Sequence, residues 1–129
     1  MARTTTIITL LSAFLLTAGC AAIVVGAGAG AGVYTWVKGE LIRTYTESFD
    51  HTEKTAIQSL NYLKITIDEK NRTGHETALK AHQSNGSPVT VKIRTLGDGM
   101  TEVAVRCGYV GYWDRKTAEL IHATILNAI

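Results

Sequence analysis

Polar and apolar residues alternate, or recur at fixed spacing, only beyond position 38 of the chain. Leu41 to Thr46 is a run rich in β-formers. Asp50 is placed to cap a helix, with Glu53 three residues on to complete a capping box, and Ala56, Ile57, Leu60 and Leu63 supply its inward stripe. Ile65 and Ile67, set between Lys64, Thr66 and Asp68, predict a half-buried strand followed by a polar loop from Glu69 to Gly74. Three more strands are predicted, from His75 to Ser84, Ser87 to Leu96 and Thr101 to Tyr109, divided by the turn signals Asn85-Gly86 and Gly97-Asp98-Gly99. Pro88 falls near a strand start, where its missing N–H is tolerated. Asp114 caps a second helix whose inward stripe is Ala118, Ile121, Ile125 and Ala128. The order β-α-β-β-β-β-α, with one apolar face, predicts an α+β domain over residues 38–129: a single, mainly antiparallel sheet with both helices on one face and the other face wet.

Matching faces also predicts registers, because a one-residue slip exchanges core and solvent sides along a whole strand. Opposing Arg94 to Glu102 sets Ile93 against Val103, Val91 against Val105 and Val89 against Cys107. The preceding hairpin then pairs Leu79 with Ile93 and Ala81 with Val91, around a three-residue Asn85-Gly86-Ser87 loop. On the wet face this places Lys80 opposite Lys92, near Arg94 and Arg106. Opposed like charges are mildly destabilising, so the stripe Lys80, Lys92, Arg94 and Arg106 is a candidate surface for an anionic partner, either lipid headgroups or an acidic envelope polymer. The bland alternative is that the lysines splay into solvent and Glu102 dilutes the field.

Upstream of the domain the pattern is of another kind. No charged side chain occurs from Thr4 to Val37, and one helix of that length, at about 1.5 Å per residue, would overreach the roughly 30 Å core of a bilayer. Residues 1–19 read instead as an export signal: Arg3, an apolar stretch from Ile7 to Leu16, then Thr17, Ala18 and Gly19 before Cys20. LLTAGC resembles the lipobox of bacterial lipoproteins, with Thr17 where leucine is commonest. The resemblance implies cleavage before Cys20, a diacylglyceryl group on its sulfur, and durable anchoring by several acyl chains at about 0.8 kcal/mol per buried methylene. Ala21 after the cysteine implies sorting to the outer membrane, facing the periplasm. An uncleaved signal anchor is the alternative. Lipidation would remove Cys20 from any disulfide with Cys107, whose place in the alternation Val103, Val105, Cys107 marks it as a small buried apolar residue.

Residues 20–37 then form a Gly/Ala-rich tether. Gly26, Gly28 and Ala31 satisfy the GxGxxA dinucleotide fingerprint, with Glu47 about twenty residues on, but no strand-helix-strand repeat follows to complete a crevice. Gly26, Gly28, Gly30 and Gly32 would each cost a helix about 1 kcal/mol, which favours a pliable segment, with Tyr34 and Trp36 suited to a headgroup layer. The same glycines make two GxxxG pairs, so helix association within a membrane is the competing reading.

Composition narrows the chemistry. Thirteen basic and eleven acidic residues leave a net charge of +2, too little for a nucleic-acid binder. His51, His75, His82 and His122 lack metal-ligand spacing and read as solvent-facing or capping, no GxSxG elbow surrounds a serine, and the adjacent Asp68 and Glu69 diverge on a strand. Accordingly no catalytic residue, metal or cofactor is expected. The aromatic run from Tyr109 to Trp113, at a strand-to-helix junction, reads as packing.

The segments GCAA, the Gly/Ala tract, YTWVKGELIRTYTESFD and TEVAVRCGYVG before the closing helix together resemble the domain-of-unknown-function 3568 family of small bacterial lipoproteins. The resemblance spans nearly the whole chain, with VKGEL its most specific piece. It implies the lipid site Cys20 and no other functional residue. The expected function is a lipid-anchored envelope protein with a binding or structural role toward a protein, lipid or cell-wall partner; the alternatives are an envelope hydrolase and a membrane-associating glycine-zipper protein.

Overall fold

Antiparallel pairing organises residues 34–129, the part of the chain that the structure, a computed structural model, describes. The elements are β1 (Thr35–Val37), β2 (Glu40–Tyr45), α1 (Phe49–Tyr62), β3 (Thr66–Arg72), β4 (Glu76–His82), β5 (Pro88–Gly97), β6 (Met100–Tyr109), β7 (Tyr112–Trp113) and α2 (Arg115–Ala128). The strands run in the order β1-β2-β6-β5-β4-β3, with β7 folded back on β6. The expected α+β order β-α-β-β-β-β-α is present, with β1 and β7 added as short flanking strands. Leu41, Leu79, Val91, Ile93, Val103, Val105 and Cys107 share one face of the sheet, and Ala56 and Leu60 of α1 and Ala118, Ile121 and Ile125 of α2 close over it. That apolar layer is the one large hydrophobic payload among the described residues, and it fixes which way every strand faces.

The β5–β6 register is the one read from the sequence: Val89 opposes Cys107, Val91 opposes Val105, Ile93 opposes Val103 and Arg94 opposes Glu102. The β4–β5 register is not. Leu79 pairs with Val91 and Ala81 with Val89, two residues from expectation. Gln83 N–H donates to Ser87 O at 2.9 Å and Gly86 N–H donates to Gln83 O at 2.9 Å, so the three-residue loop is Ser84-Asn85-Gly86. Gly86 has φ +86°. A three-residue hairpin loop needs its left-handed residue last, and the glycine therefore sets the loop one position earlier than Asn85-Gly86-Ser87.

Two further differences have local causes. The first helix is capped by Ser48, whose side chain accepts from His51 N–H, and so begins before Asp50. Glu53 is consequently free of capping and turns toward the sheet, where it is buried. β3 continues to Arg72 through the segment expected to be a loop, because the register shifts between Ile67 and Glu69 and a bulge takes up Asp68. The extra residue reverses the faces, bringing Lys70 opposite Leu79 and Arg72 opposite Thr77, on the helix side. At the amino end the sheet begins before residue 38: Thr35, Trp36 and Val37 pair with Ile42, Leu41 and Glu40, and Tyr34 and Trp36 pack against the core.

Gly108 is a position where only glycine serves. Its φ is +95°, and a Cβ there would lie 2.5 Å from the Tyr112 carbonyl oxygen and 3.2 Å from the Asp114 nitrogen, both backbone atoms. Gly108→Ala is expected to cost about 2–3 kcal/mol, by strain and by parting β6 from β7. A urea-unfolding midpoint within error of wild type would refute this.

Candidate functional site

The wet face of the sheet does not carry the like-charge opposition expected of it. In the observed register Lys80 opposes Thr90, and Lys92 opposes Ala78. Each of the four candidate cations has a carboxylate instead. Lys92 Nζ lies 3.1 Å and Arg106 Nη2 3.4 Å from the same Glu40 oxygen, Arg94 Nη2 lies 2.8 Å from Glu102, and Lys80 Nζ lies 3.7 Å from Glu69. A polar depression of about 260 Å³ on this face is lined by Glu40, Glu76 and Glu102 against Lys92 and Arg94, so acids outnumber bases there. Exposed pairs of this kind add little stability, but they do cancel the field that would draw an anion.

On the other face, α2 delivers His122 into the core. It sits four residues after Ala118 and three before Ile125, inside the apolar stripe, where the sequence reading had histidines solvent-facing or capping. Its Nε2 is 2.7 Å from the Leu41 carbonyl oxygen, which can only accept, so Nε2 carries the proton. Nδ1 is then an acceptor, and the Tyr45 hydroxyl donates to it at 2.8 Å while also lying 3.2 Å from the His122 carbonyl oxygen. Burial pushes the His122 pKa down to about 4, against the opposing pull of the Leu41 hydrogen bond and with help from the Arg43 charge. Burial likewise raises that of Tyr45. Both side chains are neutral at pH 7 with their polar atoms committed to each other and to backbone.

Arg43, 7% exposed, completes this cluster. Its guanidinium stands 5.3 Å from the Tyr34 ring centre and 5.2 Å from that of Tyr45, and donates to the Tyr34 hydroxyl at 3.3 Å. Two aromatic faces thus offset part of the cost of burying the charge.

A second buried polar cluster joins α1 to the sheet. Glu53 accepts from Thr77 Oγ1 at 2.6 Å and from Arg72 Nη1 at 3.1 Å, and Lys70 Nζ lies 2.5 Å from its other oxygen. Arg72 Nη2 also reaches Asp50 at 2.6 Å. Burial alone would raise the Glu53 pKa, but the hydrogen bonds from Lys70 and Thr77 and the two cations bring it below the usual carboxylate range. The sequence pattern assigns Glu53 to a capping box instead of the core, and it hides the bulge that supplies Lys70 and Arg72, since a charged run resembles a loop.

Cys107 is buried, as its place in the alternation predicts, and burial raises its thiol pKa to about 12. Among the described residues no group of His, Cys, Asp and Glu is arranged to hold a metal. His82 Nδ1 instead pairs with Asp68 at 2.7 Å. Cys20, the expected lipid site, and the glycine fingerprint at residues 26–31 lie outside the described residues.

The fold and these clusters define a small α+β domain built on an antiparallel sheet, with one face covered by two helices and the other laced with ion pairs. The chain matches the family model described as "Protein of unknown function (DUF3568)" over residues 3–128, and it belongs to that family. No curated protein matches it.

Proposed function

We propose that this chain is a lipid-anchored protein of the bacterial cell envelope, held through acyl chains on Cys20, whose domain has a binding or structural role. The observation that carries the reading is the LLTAGC sequence ending at Cys20, preceded by Arg3 and an uncharged apolar stretch. Thirteen residues rich in glycine and alanine separate that cysteine from Tyr34, where the described domain begins. Such a spacer suits a globule tethered at a membrane surface. Ala21 favours the outer membrane, with the domain in the periplasm. The role of the domain itself is read from its polar side chains: His122, Tyr45 and Glu53 are buried and bonded to one another or to neighbouring elements, as scaffolding groups are.

Intact mass of the mature protein tests this directly. The expected product begins at Cys20 and carries the mass of added acyl chains, and Cys20→Ala is expected to leave an uncleaved, unacylated chain. A wild-type product that begins at Met1 with no acyl mass overturns the proposal.

A further inference from the structure

Tyr62, Leu96, Leu120, Leu126 and Ile129 are exposed singly on the helices, at the β5–β6 turn and at the last residue. Four other exposed apolar side chains, Val37, Tyr109, Val110 and Tyr112, lie at one end of the sheet. Two tight turns meet there, Lys38-Gly39 between β1 and β2 and Val110-Gly111 between β6 and β7. They are locked side by side: Gly39 lies so close beneath Trp113 that a Cβ would meet the indole, and Arg106 donates to the Lys38 carbonyl at 3.2 Å with its guanidinium 5.1 Å from the Trp113 ring centre. Beyond this rigid base project Tyr109 (60% exposed), Val110 (85%) and Tyr112 (83%), with Val37 (44%) beside them. Tyr109 and Tyr112 oppose each other across β6 and β7, and Val110 stands at the tip of the turn between them. A tight turn favours Asn, Asp, Gly or Ser, and an apolar side chain at its tip contributes nothing to the core.

The charges around this end point to the occupant. Lys38 and Lys116 are exposed and make no ion pair among the described residues, whereas the nearby acids are engaged: Glu40 by Lys92 and Arg106, Glu119 by Arg115, and Asp114 in capping α2. A protruding turn that carries valine and two tyrosines, backed by two tryptophans and flanked by unpaired lysines, matches the headgroup boundary of an anionic bilayer, where amphipathic rings and cations are both favoured. A protein pocket would accept such a turn too, but the flanking lysines would then lose solvent without gaining phosphate.

We propose that Val37, Lys38, Tyr109, Val110, Tyr112 and Lys116 form a membrane-contact surface, by which the domain rests on an anionic bilayer. The proposal builds on the lipid-anchor reading. Residues 21–33 span at most roughly 45 Å when extended, so an anchored domain stays within reach of the lipid, and a weak surface suffices at that effective concentration.

The two tryptophans of the chain, Trp36 and Trp113, both belong to this end and serve as native probes. The full mature chain is reconstituted into phosphatidylglycerol–phosphatidylcholine vesicles whose phosphatidylcholine is brominated just below the headgroup. Tryptophan emission is expected to fall relative to unbrominated vesicles, and Val110→Asp combined with Tyr112→Ser, at exposed positions, is expected to abolish most of that loss. Flotation of the same samples reads the anchor separately. Chains that float with unquenched tryptophans, or with quenching that the double variant leaves unchanged, overturn the contact surface and leave the anchor standing. Variant-sensitive quenching in a chain without acyl mass overturns the anchor and keeps the surface, and a chain neither floating nor quenched removes both. Variant-sensitive self-association without quenching assigns the turn to a second copy and also overturns the proposal.

Discussion

Lowering the pH from 7 to 4 is expected to cost the domain about 3 kcal/mol through His122 alone. The imidazole is fully buried, and its pKa falls from 6.5 in the unfolded chain to about 4 in the folded one. Between those values the unfolded state binds a proton that the folded state does not, so stability rises with pH across the window and is lost as pH falls through it. Protonation would also set a second N–H against the Tyr45 hydroxyl, which now donates to Nδ1. Urea midpoints measured at intervals from pH 7 to pH 4 check the slope, and His122→Gln identifies its source. The variant is expected to be less stable at pH 7, since it cannot bridge Leu41 and Tyr45 in the same geometry, yet nearly flat between pH 6.5 and about 4.5. The fall that remains below about pH 4.5 belongs to carboxylates such as Glu53 and Asp114. Their folded pKa values are lowered, so they stabilise above the unfolded value and cease to do so as pH drops through the folded one. An unchanged wild-type midpoint across the window, or an equal slope in the variant, removes His122 from the account.

What could be read from the sequence was whatever two independent local signals agreed upon. The β5–β6 register is such a case: alternating apolar residues fix the parity and the turn signal Gly97-Asp98-Gly99 the offset. The turn itself closes on Asp98-Gly99, with Gly97 opposite Met100 and a register shift between Thr95 and Gly97 restoring the pairing. For β4–β5 the parity was equally plain, but parity is blind to a slip of two residues. Leu79 meets an apolar partner at Val91 as readily as at Ile93. Only the left-handed demand at Gly86 decides, and the misplacement carried Lys80 to Lys92 and with it the case for a cationic stripe. β1 is hard to read for another reason. Thr35–Val37 is short and continues an apolar tract, so nothing in its own pattern separates a strand from a tether. His122 shows the reverse: its spacing between Ala118 and Ile125 marked the inward face, but its residue type argued for solvent. Cys20 lies in a different category, since its reading rests on a local sequence resemblance and owes nothing to the fold.

Glu53→Ala is expected to cost about 3 kcal/mol, and most of that cost should trace to Thr77 and to lost packing, not to the two cations. Lys70 and Arg72 have side chains 43% and 45% exposed, so on losing the carboxylate they return to water at little penalty. Thr77 has no such escape. It is fully buried between α1 and the sheet, and Glu53 is the acceptor of its hydroxyl at 2.6 Å. A double-mutant cycle separates the contributions. Thr77→Val in the wild-type background should destabilise by about 1 kcal/mol, because the buried carboxylate loses one of its donors. The same change in the Glu53→Ala background should be neutral or stabilising, since it replaces an orphaned hydroxyl by a methyl of equal size. The resulting coupling of about 1–2 kcal/mol would place the strength of this junction in one buried hydrogen bond. Additive changes in the cycle would shift it to the ion pairs with Lys70 and Arg72, which high salt would then be expected to weaken.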